Sequence, residues 1–432
     1  MARIGIFCLP MGSHINHFLA IAEELSARDH DLIFFNLPEN EQKIRAAGFG
    51  FVSIEPDTLP PGALGEMMRA MGALGPLAAM RLQGRFDELR YEAILRRGPA
   101  LVREAKLDAM IVDQAEACSG SVAEITELPW VSVASGLCMN SEPLVPPFFT
   151  SWRYSESTFA VARNCLTYAG IRVATLSLRA LINRRRTKWG LKRLATVDES
   201  FSPFAQICQQ NREFDFPRRK LPECFHYVGP IRSKRTTAVE FPWHRLDSRP
   251  LIYASLGTLV NRHKHLFRLM AESCEGLNAQ LVISLGGAGR VADYGDLPGS
   301  PLVVAFAPQR DLLARAALTI THAGLNTTLE SLAAGVPLVA IPIAFEQPGI
   351  AARIQWTGTG DFVPLSKATT PRLRSCVKRV LTEASYRQAA GAMAEKIRAT
   401  GGCQQAANII EDVIRTRVKL PGSQPRSIIE VV

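Results

Sequence analysis

A short stretch in the second half of the chain has the pattern of a strand, a polar turn and a helix start. The apolar run 318–320 is short and partly β-branched, which favours a buried parallel strand. His322, Gly324, Asn326 and Thr327 follow it, and residues 328–334 have the apolar spacing of a helix. Such a turn exposes backbone N–H groups and the positive end of a helix dipole, so it predicts an anion site.

The side chains of this turn suit a nucleotide diphosphate. Glu330 lies one turn into the predicted helix, within reach of a ribose diol, while His322, Asn326 and Thr327 are expected to face phosphate oxygens. The alternative is an ordinary βα turn capped by Asn326 and Thr327, with His322 a buried, hydrogen-bonded histidine. For one turn by itself this alternative is the more common, because short motifs have many chance matches.

The wider stretch resembles the donor-binding signature of the UDP-dependent family 1 glycosyltransferases. That signature runs aromatic-x-Pro-Gln, His-x-Gly-x-Asn-(Ser/Thr), Glu, Gly-Val-Pro and (Asp/Glu)-Gln. The matching positions here are Phe306, Pro308, Gln309, His322, Gly324, Asn326, Thr327, Glu330, residues 335–337, Glu346 and Gln347. The resemblance implies that Glu346 and Gln347 hold sugar hydroxyls. Phe306 stands where many members carry Trp, and its smaller ring is still expected to stack on uracil.

The strand and helix signals indicate an α/β protein with two parallel sheets. Strand patterns near residues 4–9, 31–35, 51–54, 110–112 and 130–133 alternate with helices, and the rhythm resumes from 251 to 363. The resemblance implies the GT-B fold, in which two Rossmann-like domains face an interdomain cleft. We predict an acceptor-binding domain at 1–230, a linker at 231–250, a UDP-sugar-binding domain at 251–418 and a tail at 419–432. Open α/β sheets bind ligands at the carboxyl ends of their strands.

Two polar residues follow strands of the first predicted sheet. His14 comes after the first strand at a helix start, where the dipole disfavours the imidazolium and leaves a proton-accepting imidazole. Asp113 ends the strand at 110–112 on the same edge, where a carboxylate orients the ring. The residues alone do not favour this pair over two unrelated loop residues. The resemblance does, since Gly12-Ser13-His14 matches the turn that carries the family's base, and Asp113 its activating aspartate.

The strand and turn at 251–258 offer a second phosphate contact, through Ser255, Gly257 and Thr258. The only Asp-x-Asp sequence, Asp29-His30-Asp31, precedes the second strand and lies away from the cleft edge. We therefore expect no metal and no cofactor, with UDP-glucose as a co-substrate. The charge of the leaving group is then expected to be stabilised by helix-terminus N–H groups and His322.

Length and composition limit the number of domains, the role of the cysteines and the expected location of the protein. Its 432 residues suit two domains, and its nine scattered cysteines, none in a Cys-x-x-Cys pair, argue against a disulfide scaffold or a zinc module. No apolar run approaches the length of a bilayer span, so a cytoplasmic location is expected.

The positive charges behind the net charge of +10 are concentrated at residues 163–193, and no nucleic-acid-binding motif accompanies them. We expect no nucleic acid partner. The segment is either a solvated helical face or a contact with anionic lipids at the inner face of the membrane.

Two apolar segments are candidate walls for an acceptor. Residues 58–80 are rich in methionine and predict either a lid over a lipophilic ligand or ordinary packing, and prolines make 143–149 a loop. The acceptor-binding candidates are Met67, Met71, Leu144 and Phe148.

Further motifs, at residues 201–207, 215–218 and 221–230, resemble the zeaxanthin glucosyltransferase branch of the family. This implies an inverting transfer of glucose from UDP-glucose to a carotenoid hydroxyl. Flavonoid, terpenoid and macrolide acceptors are alternatives, as are a sugar-nucleotide epimerase and a non-catalytic binder. The sequence predicts no oligomeric state.

Overall fold

A computed structural model of the chain describes residues 1–54, 59–73, 76–234, 239–258, 263–287 and 289–421. For residues 71–73, 76, 77 and 80 it describes the backbone alone. The side chain of Met71 and most of the predicted tail therefore lie outside the described residues, as do parts of the predicted lid and linker.

The strands are β1 Arg3–Phe7, β2 Asp31–Asn36, β3 Gly50–Ser53, β4 Ala109–Asp113, β5 Trp130–Ala134, β6 Ala205–Cys208, β7 Phe225–Tyr227, β8 Leu251–Ser255, β9 Gln280–Ser284, β10 Leu302–Val304, β11 Ala316–Thr321, β12 Leu338–Ala340 and β13 Gly360–Phe362. The helices are α1 Gly12–Ser26, α2 Glu41–Ala46, α3 Ala63–Ala73, α4 Pro76–Glu104, α5 Ser119–Ile125, α6 Thr158–Ala174, α7 Leu176–Lys188, α8 Lys264–Cys274, α9 Gln309–Leu313, α10 Leu325–Ala333, α11 Gln347–Trp356, α12 Thr370–Thr382, α13 Ala384–Arg398 and α14 Gly402–Thr416.

The first sheet is parallel, in the order β3-β2-β1-β4-β5-β6-β7. Its central strands β4 and β5 are buried throughout, as expected for apolar strands covered by helices on both faces. Phe7 pairs with Val112, and Asp113 pairs with Val133, so β1, β4 and β5 end at the same edge. The residues that follow these three strands are therefore neighbours.

The second sheet is also parallel, in the order β10-β9-β8-β11-β12-β13. Ser255 of β8 pairs with both Ser284 of β9 and Thr321 of β11. The turn after β8 and the turn that begins at His322 consequently lie side by side. The predicted α/β class with two parallel sheets is confirmed.

Helix α14 packs on the first sheet although it follows the second sheet in sequence. Its residues Cys403, Ala406, Ile410 and Val413 are buried in the same cluster as residues of α1, β5 and β6. Their spacing places them on one face of the helix. This packing differs from the predicted division, which placed residues up to 418 with the second sheet. The other proposed boundaries stay predictions.

A buried ion network ties the two halves together. Asp215 lies in the loop between β6 and β7, and Arg353 of α11 donates from Nε to Oδ1 of Asp215 at 2.9 Å. Arg218 Nε and the hydroxyl of Tyr227 each donate to Oδ2 at 2.8 Å. Burial alone raises the pKa of Asp215, but the charges of Arg218 and Arg353 outweigh it and hold the pKa well below its usual value.

We expect Asp215→Ala to lower the free energy of unfolding by about 3–5 kcal/mol, because two buried guanidinium groups lose their counter-charge. Urea unfolding followed by circular dichroism measures the change. Glu156→Ala is the matched control, since it breaks an ion pair with Arg219 that is exposed to solvent, and its midpoint should stay that of the wild type. An Asp215→Ala midpoint equal to that of the control would contradict the importance of this network.

Candidate active site

A cavity of about 580 Å³ lies between the carboxyl edges of the two sheets. Both halves of the chain line it, as the predicted cleft requires. The predicted site residues that line it are His14, Asp113, Phe148, Ser255, Gly257, Thr258, Phe306, Gln309, His322, Gly324, Asn326, Thr327, Glu346 and Gln347.

On the first sheet the structure brings His14 and Asp113 into direct contact. Nδ1 of His14 lies 2.5 Å from Oδ2 of Asp113, and the carboxylate also accepts the backbone N–H groups of Leu9 and Ala115. Because Nδ1 faces a carboxylate, the proton of the neutral ring is held there and Nε2 is left as a proton acceptor. His14 lines the cavity, so this nitrogen is available to a ligand.

The charge of Asp113 sets the protonation of His14. Burial lowers the pKa of His14, but the charge of Asp113 and the hydrogen bond with it outweigh burial and raise the pKa above its usual value. The direction is opposite to that expected from the helix start alone. For Asp113, burial acts to raise the pKa, but the charge of His14 and the hydrogen bond with it outweigh burial and lower the pKa below its usual value.

Ser135 is a third member of this cluster that the sequence reasoning missed. It follows β5, and its Oγ lies 2.6 Å from Nδ1 of His14 and 3.4 Å from both carboxylate oxygens of Asp113. Asp113 was singled out as a polar residue at the carboxyl end of β4, the strand beside β1, and Ser135 has the corresponding position after β5, the strand beside β4. Extending the same reasoning by one strand would have found it.

On the second sheet, two glycines enclose the ring of His322. A Cβ on Gly257 would lie 2.7 Å from Cε1 of His322, and a Cβ on Gly324 would lie 2.5 Å from its Nε2. Gly257 also has a φ of +68°, which side chains rarely adopt. Burial lowers the pKa of His322 to about 4, so the ring is neutral and acts as an N–H donor at neutral pH.

Free backbone N–H groups lie beside this ring. Helix α10 begins at Leu325, and no side chain caps its N-terminus. The first N–H groups of α10 therefore remain available at the cavity. In the neighbouring turn, the N–H group of Gly257 donates to Oγ of Ser255 at 3.2 Å. The uncapped start of α10 suits the anion site that the pattern at residues 318–334 predicts, and anion binding there stays a prediction.

Phe306 presents an aromatic surface at the far side of the cavity. Its side chain is 55% exposed, and the ring lies over Gly287, where a Cβ would approach Cζ to 2.9 Å. Gly287 has a φ of +82°. The absence of a side chain at Gly287 thus leaves room for the exposed ring.

Glu330 lies just behind the cavity wall. Gln309 connects it to the cavity, since it accepts from the hydroxyl of Tyr253 at 3.1 Å and donates from Nε2 to Glu330 at 2.5 Å. Glu330 lines an adjoining pocket that shares Gln309 and Asn326 with the main one. The predicted contact with a ribose therefore stays a prediction.

The turn before α11 brings a carboxylate across the cleft. Oε1 of Glu346 lies 3.5 Å from the Cβ position of Gly136, and its charge contributes to raising the pKa of His14. Oε1 of Gln347 accepts the N–H groups of Ile343 and Ala344 at 2.8 and 2.9 Å, so it shapes the turn that carries Glu346.

Asn326 makes a contact across the cleft. Its Oδ1 accepts from Nε2 of Gln209 at 3.2 Å, and the same nitrogen of Gln209 donates to the carbonyl of Ser135. This chain of hydrogen bonds joins the turn at the start of α10 to the loop beside His14. Gln209 was not predicted, because nothing in its local sequence indicates that it faces the other sheet.

The wall beside His14 is apolar with one charged corner. Phe148 lines it as predicted, with Met11, Leu137, Met139 and Phe149. Gln83, Asp87 and Arg90 form the polar corner, where Arg90 is buried and pairs with Asp87 and Glu116. Burial raises the pKa of Glu116 to about 7.

Two predicted acceptor residues lie elsewhere. Met67 is buried in a small cluster with Leu37, Leu59 and Phe86, so for this residue the alternative of ordinary packing is the one observed. Leu144 is half-buried and does not line the cavity. Composition showed that these segments are apolar but not which side chains face the cleft.

The Asp29-His30-Asp31 sequence lies where the turn after α1 enters β2, with Asp31 the first residue of that strand, and none of the three residues lines the cavity. Asp31 pairs with Arg3, and His30 contacts Glu411 at 3.1 Å. Within the part of the chain that the structure describes, no three His, Cys, Asp or Glu side chains are arranged to hold a metal ion.

Sequence comparison places the chain among proteins named as UDP-dependent glycosyltransferases. A family model described as "UDP-glucoronosyl and UDP-glucosyl transferase" matches residues 99–397. A zeaxanthin glucosyltransferase of Pantoea ananas is 33% identical over 426 residues, covering 96% of this chain and 97% of that protein. Another, of Pseudescherichia vulneris, is 31% identical over 424 residues, covering 96% and 98%.

Solved structures support the same fold. The calicheamicin glycosyltransferase CalG4 superposes with a TM-score of 0.72 at 22% identity, covering 96% of this chain and 98% of that one. The glycotransferase of kitacinnamycin superposes with a TM-score of 0.75 at 19% identity, covering 95% and 98%. The chain therefore belongs to the UDP-glucuronosyl and UDP-glucosyl transferase family, the family 1 glycosyltransferases of the GT-B fold.

Proposed function

We propose that the protein transfers glucose from UDP-glucose to a hydroxyl of a lipophilic small molecule, with inversion at the anomeric carbon, and that the acceptor is a carotenoid such as zeaxanthin. The observation that carries this proposal is the cluster of His14, Asp113 and Ser135 in a cavity shared with the donor signature. Because carotenoids dissolve in bilayers, the proposal includes a cytoplasmic enzyme that works at a membrane surface.

In this mechanism Nε2 of His14 removes the proton of the acceptor hydroxyl. The acceptor oxygen forms a bond to the anomeric carbon while the bond from that carbon to the phosphate oxygen of UDP breaks. Attack from the face opposite UDP inverts the configuration. The carboxylate of Asp113, 2.5 Å from Nδ1, stabilises the imidazolium that forms.

The second sheet binds the donor and stabilises the departing diphosphate. The N–H groups at the start of α10 are donors for its oxygens, and the neutral ring of His322 adds another. The turn at Gly257 and Thr258 lines the cavity beside them. Phe306 stacks on uracil. Glu346 faces both sheets and is the residue we assign to the hydroxyls of the sugar.

The carotenoid acceptor is supported by the two relatives named zeaxanthin glucosyltransferase and by the apolar wall around Phe148. The purified protein, given UDP-glucose with zeaxanthin, a flavonoid or a macrolide, should form a glucoside with zeaxanthin fastest. A faster reaction with a flavonoid or a macrolide would mean that the acceptor is not a carotenoid.

Incubation with UDP-glucose alone should leave UDP-glucose as the one sugar nucleotide. Formation of a second sugar nucleotide would instead indicate an epimerase.

The pKa of His14 predicts the pH profile of transfer. Because the base must be neutral and its pKa is raised, activity should fall as pH drops through a value above the usual 6.5. Asp113→Asn removes the charge that raises this pKa, so the acid limb of kcat/KM should move to lower pH. The plateau should also fall, by about 10²–10⁴-fold.

Matched variants test this assignment. His14→Ala should lose transfer while calorimetry still shows UDP binding, and His30→Ala, which alters a histidine outside the cavity, should keep both. Near-normal turnover in His14→Ala, or an unmoved acid limb in Asp113→Asn, would refute the assignment.

Gly257→Ala should weaken UDP binding by at least about tenfold, the equivalent of 1.4 kcal/mol. The added methyl group occupies the space of the His322 ring, 2.7 Å from Cε1, and displaces it. Gly190→Ala is the control, because Gly190 has a similar φ of +72° and no atom within 4 Å of the Cβ position. Titration calorimetry with UDP should separate the two variants, and equal affinities would mean that His322 does not contact the nucleotide.

A further inference from the structure

Helix α6 turns an apolar stripe toward solvent. Phe159, Leu166 and Val173 are 79%, 76% and 66% exposed, and Leu176 at the start of α7 is 51% exposed. The three residues of α6 are spaced by seven, so they lie along one face of the helix. Most exposed apolar residues of a soluble protein are scattered singly, whereas a row of them marks an interaction surface.

The opposite, protein-facing side of α6 is polar and hydrogen-bonded. Asn164 is fully buried and donates from Nδ2 to the carbonyl of Pro143 at 2.9 Å. The hydroxyl of Tyr168 donates to the carbonyl of Val145 at 3.1 Å. These bonds fix the rotation of the helix, so the apolar stripe cannot turn inward without leaving buried polar groups unpaired.

Every charged residue within α6 and α7 is basic. Residues 158–188 include seven arginines and lysines and no aspartate or glutamate. On α7 the exposed residues Leu176, Ala180, Arg184 and Lys188 are spaced by four, so the apolar stripe continues into a basic one. A groove beside α7 is lined by four cations, Arg184, Arg185, Lys188 and Arg193, and by one carboxylate, Glu92, which pairs with Arg185 at 2.9 Å.

Helices α6 and α7 pack against the protein surface and do not form a separate membrane-spanning hairpin. Among the described residues no single helix is long and apolar enough to cross a bilayer, although α6 and α7 together, bent by 57°, have the length and composition. On α7, however, Leu181, Ile182 and Asn183 are buried against the protein, and Arg186 binds Glu124 at 2.8 Å. An exposed apolar face with flanking cations is the pattern of a helix that lies in the plane of a bilayer interface.

We propose that the α6 surface, made of Phe159, Leu166, Val173, Leu176, Arg184 and Lys188, docks the protein on an anionic lipid bilayer. The apolar residues enter the boundary between head groups and acyl chains, and the cations bind lipid phosphates. The absence of acidic residues from 158–188 argues against a second copy of the chain as the partner, since pairing two such faces brings like charges together.

Docking through α6 would also place the acceptor wall near the bilayer. The inner face of α6 holds the carbonyls of Pro143 and Val145, and the same loop continues to Phe148 and Phe149 in the cavity. This link to a membrane-dissolved acceptor rests on the proposed function. The docking itself does not, because vesicle binding is measured without donor or acceptor.

Flotation with vesicles tests the proposal directly. The full-length protein should float with vesicles of phosphatidylglycerol and phosphatidylcholine, and much less with phosphatidylcholine alone. The double variant Phe159→Gln and Leu166→Gln should partition at least about tenfold less onto the mixed vesicles. The control double variant Val291→Gln and Val418→Gln, which alters exposed apolar residues elsewhere, should float as the wild type does.

The charged residues form a second arm of the test. Arg184→Gln with Lys188→Gln should weaken binding to the mixed vesicles severalfold and reduce its dependence on salt. Circular dichroism and UDP binding of each variant show whether it is folded. His14→Ala should float as the wild type does, so loss of catalysis and loss of docking are separable.

Wild-type protein that does not float, or a stripe variant that floats normally, would overturn the proposal. A dimer in sedimentation analysis that the stripe variant dissociates, without vesicle binding by the wild type, would instead assign the surface to a second copy.

Discussion

The buried ion pair between Asp215 and Arg353 fixes two parallel sheets with their carboxyl edges across one cleft. A parallel sheet collects the residues after its strands at one edge, and this network brings two such edges together. The proposed base is on the first sheet and the anion site is on the second, so neither half holds both. Gln209 and Glu346 reach across the cleft, and the geometry of the whole site depends on how the halves are held.

The sequence predicted those features that follow from local pattern. The anion site was predicted from a strand, a glycine turn and a helix start, a pattern that an ordinary βα turn shares. The pairing of His14 with Asp113 came from the family resemblance, because the residues alone did not favour it. Asp113 itself was singled out as a polar residue at the carboxyl end of a strand. Ser135 obeys the same rule and was overlooked. The position of Phe306 over Gly287 could not be predicted, because it depends on a contact between two loops whose conformations are set by the surrounding sheet.

The apolar composition of a segment did not predict which of its side chains face the cavity, the core or the solvent. Met67 and Leu144 belong to segments that were correctly seen as apolar, yet Met67 packs inward and Leu144 lies off the cavity, while Phe149 and Met139 line it. Helix α6 is the reverse case, since its buried side is polar and its exposed side apolar. Helix α14 shows the same limit at the level of domains: its amphipathic spacing is plain, but the sheet that it covers is decided by the path of the chain.

Direct displacement of UDP by an acceptor oxygen, activated by His14, is the central claim, and the configuration of the product tests it most directly. UDP-glucose carries its glucose in the α configuration. Proton NMR of the glucoside formed with zeaxanthin should show the large coupling between H1 and H2 of a β-linked glucose. The small coupling of an α-linked product would mean that configuration is retained, which would contradict a single displacement with His14 as the base.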